Sequence, residues 1–178
     1  MTASVCWRTF CTLLLLAVAL PAHAQRQAPE PELKAAILAN MLLFVDWPAG
    51  GAQAPEKLTV CYLDAGPVSS ALMQLDGRLL KGKPLRVERI DIAQARGCHA
   101  LYVSAADASY LPTLASFLQA SGVLLTGDSP GYLQRGVMLN LEIDGGRIVF
   151  DIDLRAVRQA GLTVSSKALR LARQVLQE

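Results

Sequence analysis

Residues 136–173 constrain the fold of this chain more than any other segment, because they predict a complete run of secondary structure. Two apolar stretches, residues 137–143 and 147–154, flank Asp144-Gly145-Gly146, which is a strong β-hairpin signal. A helix, a short link and a second helix are predicted to follow. The segment carries no catalytic nucleophile, base or cluster of metal ligands, so it favours a binding module over an enzyme.

The second strand of this hairpin places different side chains on its two faces. Phe150 is predicted to lie on the apolar face, and Asp151 and Asp153 on the opposite one. Two carboxylates two residues apart could bind a cation or act in acid–base chemistry. The alternative is a solvated face, or ion pairs with Arg155 and Arg158.

A terminal helix is predicted over residues 166–177, with Ser165 as its N-cap. Lys167 belongs to a basic face of this helix, which is expected to be solvated. Four apolar residues recur at helical spacing: Ala168, Leu169, Ala172 and Val175.

Residues 1–24 have the layout of a secretory signal. Arg8 precedes the apolar run 13–20, and Ala22-His23-Ala24 forms an A-x-A cleavage site. The run is far shorter than the roughly 20 apolar residues that a spanning helix needs. We therefore expect cleavage after Ala24 and a soluble, exported product.

The remainder divides into a flexible lead at residues 25–31 and a single domain at residues 32–178. Over the whole chain Lys and Arg number 17 against 15 Asp and Glu, and no basic run exceeds two residues, so a nucleic-acid partner is not expected. No cofactor motif is present. The pattern is α/β, with predicted helices at 31–44, 67–75 and 110–120 and predicted strands at 58–63, 85–90, 99–104 and 122–126.

Export leaves two cysteines, Cys61 and Cys98, in an oxidising compartment. Such a pair most often forms a disulfide, worth about 4 kcal/mol in the chain-entropy model. Consecutive β-α-β units often place their strands side by side, which would bring the two cysteines within bridging range. Two buried free thiols are the alternative.

The search for catalytic residues gives little support to an enzyme. His99 is the single histidine after the signal, and the zinc-hydrolase motif H-E-x-x-H is absent. A structural role for His99 beside the cysteines is therefore favoured. The glycine-rich loop at residues 127–136 follows a predicted strand, where α/β sheets often hold ligands. A periplasmic small-ligand sensor or enzyme using this loop and His99 is the alternative function.

Six segments together resemble the YfiR family of periplasmic proteins, over residues 33 to about 175 and in the family's order. They are LKAAILANMLLFVDWP, LTVCYLD, GKPLRVERI, GCHALYVS, VFDIDL and AGLTVSSKALRLARQV. The resemblance implies an α/β fold with helices around a mixed sheet, a C-terminal β-hairpin and a terminal helix.

The resemblance also implies a regulatory role. YfiR-like proteins bind the periplasmic sensor domain of an inner-membrane diguanylate cyclase and hold it inactive, which lowers cyclic di-GMP output and biofilm formation. An OmpA-like outer-membrane lipoprotein can sequester the repressor, and a homodimer is an open alternative. On this basis Phe150, Asp151, Asp153 and Lys167 are the candidate partner-binding residues.

Two features depart from the family pattern. Better-known YfiR-like proteins carry a second disulfide near the C-terminal hairpin, whereas no cysteine follows Cys98 here. The family's Phe-Glu-x-Asn stretch is Phe150-Asp151-Ile152-Asp153 in this chain. Redox control through a second bridge is therefore not expected, and partner contacts at this stretch are expected to differ.

Overall fold

The computed structural model describes residues 28–47 and 56–177, so the predicted signal and the first part of the predicted lead lie outside the described residues. The α-helices are α1 Glu30–Met41, α2 Pro67–Met73, α3 Leu111–Phe117, α4 Leu154–Gln159 and α5 Ser166–Leu169. Short 3₁₀ helices are Leu42–Phe44, Ile92–Gly97, Ala105–Tyr110 and Leu133–Arg135. The strands are β1 Val45–Asp46, β2 Leu58–Tyr62, β3 Leu79–Leu80, β4 Lys83–Arg89, β5 Ala100–Val103, β6 Leu124–Gly127, β7 Leu139–Asp144, β8 Arg147–Asp153, β9 Thr163–Val164 and β10 Gln174–Leu176.

Eight strands form one mixed sheet in the order β10-β8-β7-β6-β5-β2-β4-β3. The five strands β4-β2-β5-β6-β7 are parallel, in the order of flavodoxin-like doubly wound sheets. β8 runs antiparallel to β7, and β10 runs parallel to β8. β1 and β9 form a separate antiparallel pair. The predicted α/β class with a mixed sheet is confirmed.

The helix predicted at residues 31–44 is confirmed, with its last turn in the 3₁₀ form. Its buried positions include Ala35, Leu38 and Ala39, each 1% exposed. α1 packs against α2 and also contacts β8. This helix therefore lies in the core.

The predicted hairpin is confirmed as the pair β7 and β8. Asp144 pairs with Arg147, which leaves Gly145 and Gly146 as the two-residue turn. Both glycines have positive φ, of 55° and 76°. A type I′ turn requires this conformation at both positions, and glycine adopts it without a Cβ clash.

The predicted terminal helix at residues 166–177 is wrong beyond its first turn. Ser165 does cap α5, since its hydroxyl accepts from the Ala168 N–H at 3.5 Å. The chain then turns and enters β10, where Val175 pairs with Ile152 of β8. Pairing with a strand distant in sequence has outweighed the helical spacing of the apolar residues.

No helix within residues 28–47 and 56–177 is long and apolar enough to cross a membrane.

Candidate partner-binding face and its supporting contacts

The hairpin residues singled out from the sequence lie inside the domain. Phe150 is 9% exposed, Asp151 3% and Asp153 4%. The expectation of a solvated face is therefore wrong for both aspartates, because β10 lies against β8 as a further strand. The alternative of ion pairs is correct for Asp153, which pairs with Arg155 at 3.1 Å.

Asp151 forms the centre of a charged cluster with Arg173, the residue immediately before β10. The Arg173 guanidinium donates to both oxygens of Asp151 and to Glu142 Oε2, the last at 2.7 Å. Asp144 lies farther away, with 3.9 Å between its Oδ2 and Arg173 Nη1. Hydrogen bonds to Asp151 and Glu142 raise the pKa of Arg173. We call these four residues the Arg173 cluster.

The backbone reinforces this cluster. The N–H of Arg173 donates to the Phe150 carbonyl at 2.9 Å, and Gln174 then pairs with Asp151 in the ladder. A single residue therefore anchors the start of β10 through both its main chain and its side chain. The sequence interpretation missed Arg173, although the β-prone Val175-Leu176 that follows it was an available signal.

Asp153 has a local structural role at the start of α4. Its Oδ1 accepts from the backbone N–H of Arg155 at 2.9 Å and of Ala156 at 3.2 Å. This is the N-cap interaction that satisfies the first free N–H groups of a helix. The same carboxylate raises the pKa of the Arg155 guanidinium through a side-chain hydrogen bond.

Lys167 differs from the other three candidates because it is exposed, on α5. Arg170 and Leu171 follow it at helical spacing and are also exposed, Leu171 at 70%. α5, Arg173 and β10 form one continuous stretch of chain, residues 166–176, which we call the C-terminal face. Lys167 is accessible on this face, whereas Asp151 and Asp153 lie buried in the neighbouring strand β8.

Cys61 and Cys98 form the disulfide predicted from the sequence, with 6.0 Å between their Cα atoms. Cys61 lies in β2, and Cys98 directly precedes the strand region that pairs with it. Both residues are buried, at 1% and 7% exposure. The bridge therefore joins the two neighbouring strands at the centre of the sheet.

His99 holds the same strand pair together by hydrogen bonds. Its Nδ1 accepts from the Thr59 N–H at 3.1 Å, and its own N–H donates to the Thr59 carbonyl at 2.9 Å. The indole of Trp47 donates to the His99 carbonyl at 3.3 Å and packs edge-on against the imidazole. Burial, together with the charges of Lys57 and Lys83, lowers the pKa of His99. These contacts give His99 a structural role.

The loop at residues 127–136 uses its acidic side chain within the fold. Asp128 accepts from Lys34 Nζ at 3.0 Å and from the Tyr102 hydroxyl at 2.9 Å. Burial of Lys34 disfavours its charge, but hydrogen bonds to Glu30 and Asp128 outweigh this effect and raise its pKa. Burial and the charge of Asp128 raise the pKa of Tyr102. The contacts of Asp128 tie the loop to α1 and β5.

Close packing explains the glycine at the start of this loop. A Cβ at Gly127 would overlap the ring of Tyr132, whose hydroxyl donates to the Ser104 carbonyl at 2.8 Å. Asn140 donates from Nδ2 to the Ser129 carbonyl at 2.9 Å. The loop is thus a packed connection, and these contacts do not favour it as a ligand site. Across residues 28–47 and 56–177, no group of three or more His, Cys, Asp or Glu residues could hold a metal ion.

Two solved structures share this fold. A conserved domain protein from Vibrio cholerae O1 biovar eltor matches with a TM-score of 0.54 and 17% identity, covering 82% of this chain and 60% of that chain. The ABC domain from Streptococcus pneumonia, solved in complex with L-Trp, matches with a TM-score of 0.54 and 13% identity, over the same shares of 82% and 60%. This chain therefore spans about three fifths of each protein, and the likeness is one of fold.

A family comparison is more specific than these structural matches. Residues 31–173 match the YfiR/HmsC-like family, so the match extends from the first turn of α1 to Arg173. Proteins of this family are periplasmic regulators of diguanylate cyclases, with a regulatory and not a catalytic role. This chain belongs to the YfiR/HmsC-like family.

Proposed function

We propose that this protein is a periplasmic repressor of an inner-membrane diguanylate cyclase, and that it binds the sensor domain of the cyclase and lowers cyclic di-GMP output. The observation that carries the proposal is the family match over residues 31–173, which includes the whole hairpin, α5 and the Arg173 cluster. A repressor of this kind binds the inactive conformation of its partner more tightly than the active one. The degree of repression is then limited by that difference in affinity.

The proposed contact surface is the C-terminal face. Lys167 is accessible there, together with the exposed Leu171. An exposed apolar side chain beside a basic one suits a partner surface with an apolar pocket and an acidic rim. Phe150, Asp151 and Asp153 would act from beneath, by holding β8, α4 and β10 in the geometry that presents Lys167.

Charge reversal at Lys167 tests this surface. Lys167→Glu is expected to weaken binding of the purified cyclase sensor domain by about tenfold and to raise cyclic di-GMP in the host, because rim charges contribute to specificity and to the rate of encounter. The measurements are a binding titration and extraction of cyclic di-GMP from cells. Either result counts only if the variant melts at the same temperature as the wild type, which shows that the substitution has not destabilised the fold.

Lys57→Glu is the matched control, since Lys57 is also exposed and precedes β2 in a distant part of the sheet. It should bind and repress as the wild type does. If Lys167→Glu binds with wild-type affinity, the C-terminal face is not the contact surface. If the wild type binds no cyclase sensor domain, the repressor function itself is refuted.

A substitution of Asp151 would not test the contact surface as the Lys167→Glu variant does. Asp151→Lys would place a second cation beside Arg173 at a position that is 3% exposed. Loss of repression would then follow from local unfolding as readily as from loss of contact. We therefore assign Asp151 a supporting role, to be measured through stability.

The proposal extends to release of the repressor. An OmpA-like outer-membrane lipoprotein is proposed to compete with the cyclase for the repressor. Addition of its soluble domain should dissociate the complex in a concentration-dependent way, and a complex that persists at saturating lipoprotein would refute this step. Sedimentation of the repressor alone would distinguish a monomer from the proposed homodimer.

A further inference from the structure

The strand order creates a topological switch point between β2 and β5. The connection through α2 leads from β2 to β4 on one side, and the connection after β4 returns to β5 on the other side. Right-handed crossovers place these two connections on opposite faces of the sheet. α2 packs with α1, whereas Arg96, in the connection after β4, donates to the Phe117 carbonyl of α3 at 2.9 Å. Open α/β sheets bind ligands in the crevice outside the carboxyl ends of strands at such a point.

An open crevice lies beside this point, at the carboxyl ends of β2 and β4, with a volume of about 580 Å³. This volume falls within the roughly 300–1,000 Å³ typical of small-molecule sites. The ends of β2 and β4 and the 3₁₀ helix after β5 all contribute to it. Its lining residues are Leu63, Asp64, Arg89, Ile90, Asp91, Ile92, Ala93, Gln94 and Tyr110. We call this cavity the switch-point crevice.

The crevice is lined by two carboxylates, Asp64 and Asp91, and by one guanidinium, Arg89. Arg89 is oriented by two bonds, from Nε to the Leu63 carbonyl at 2.9 Å and from Nη2 to Asp64 Oδ1 at 3.1 Å. Its charge is therefore matched by Asp64. Asp91 is exposed and has no ion-pair partner within the described residues. The lining as a whole carries one more negative than positive charge.

Tyr110 is the aromatic residue that lines the crevice together with these charged side chains. Tyr110 is 44% exposed, although it belongs to the large residues that usually bury their rings. Ile90 and Ile92 are partly buried and pack against the core. The face of a tyrosine ring also attracts cations. The crevice therefore combines an apolar wall with an unmatched carboxylate.

We propose that the switch-point crevice binds a small aromatic amine, with its ammonium group at Asp91 and its ring against Tyr110. A ligand with a carboxylate in place of the ammonium would be disfavoured by the excess negative charge. This site is separate from the C-terminal face, and its occupation is independent of the proposed repressor function.

Calorimetric titration with tyramine tests the proposal, using the purified protein. The matched compound is 3-(4-hydroxyphenyl)propionate, which keeps the phenol ring and carries the opposite charge. Tyramine should bind, and the acid should bind at least tenfold more weakly. Asp91→Asn should weaken tyramine binding by about tenfold or more, because it removes a charge-assisted bond. Asparagine also caps helices well, so the local backbone should be preserved.

A second variant and a control complete the experiment. Tyr110→Leu keeps an apolar side chain and should weaken tyramine binding several-fold through loss of the ring. Asp144→Asn, at the distant tip of the hairpin, should leave binding unchanged. Equal binding of the acid, wild-type affinity in Asp91→Asn, or no binding at millimolar tyramine would each overturn the proposal.

Discussion

Two pairs of parallel strands in this molecule are secured by different chemistry. Cys61 joins β2 covalently to Cys98, next to β5, whereas Arg173 joins the start of β10 to Asp151 of β8 through charge. The first pair lies at the centre of the sheet and the second at its edge. The covalent link acts mainly by restricting the unfolded chain, and the ionic link acts only while the folded geometry holds its charges together.

Because of this difference, the centre of the sheet should keep its structure under conditions that weaken the edge strand β10, and a bound partner could change the geometry of that edge. The disulfide responds to reductant and is insensitive to salt. The Arg173 cluster is partly exposed through Asp144, so salt and solvent weaken it. The C-terminal face, where we propose that the partner binds, rests on the ionic link.

The largest effect is expected from removal of the covalent link. The double variant Cys61→Ala/Cys98→Ala should lose about 2–5 kcal/mol of unfolding free energy, as small exported domains do when a native bridge is removed. Urea denaturation of the variant and of the oxidised wild type gives the two values. Reductant should lower the melting temperature of the wild type and leave that of the variant unchanged. Two titratable thiols in the untreated, folded wild type would contradict the bridge.

The sequence predicted the covalent link and missed the ionic one for a physical reason. Only one pair of cysteines lies beyond the predicted signal, Cys61 and Cys98, and the β-α-β pattern predicts that their strands are neighbours. Arg173 instead follows Ala168, Leu169 and Ala172, whose spacing is helical. Only pairing with β8, which local spacing does not encode, turns the following residues into a strand.

The exposure of the candidate partner-binding residues was predicted only in part, for the same reason. Lys167 is accessible, as a basic helix face should be. Strand alternation alone assigns Asp151 and Asp153 to a polar face, and it leaves open whether they are solvated or paired with Arg155 and Arg158. Their burial depends on the edge strand β10 and on the capping of α4, both of which lie C-terminal to the hairpin.

An intermediate effect is expected from the ionic link. Asp151→Asn should cost about 1–3 kcal/mol of unfolding free energy, because the buried carboxylate of Asp151 loses its part-buried, charge-assisted bonds to Arg173. The matched control is Asp144→Asn, which alters the exposed member of the same cluster and should cost about 0.5 kcal/mol or less. Equal losses in the two variants would show that burial does not distinguish these carboxylates.

Hydrogen exchange would locate the effect of Asp151→Asn. The amides of Arg173 and of β10 should exchange faster in the variant, while those of β2 and β5 should keep wild-type protection. Faster exchange throughout the sheet would mean that the edge and the centre unfold as one unit. The centre and the edge of the sheet would then not differ in local stability.

The smallest effect concerns pH at the covalently linked pair. The pKa of His99 is lowered in the folded state by burial and by Lys57 and Lys83, so the unfolded chain binds a proton at His99 at a higher pH than the folded protein does. The contribution of His99 to stability is therefore complete above its ordinary pKa of 6.5 and is lost as the pH falls from there through the folded-state pKa. Between pH 7.5 and 5 the wild type should lose more melting temperature than His99→Asn, which can accept the Thr59 N–H bond but does not titrate. Identical pH profiles would exclude His99 as a source of acid sensitivity.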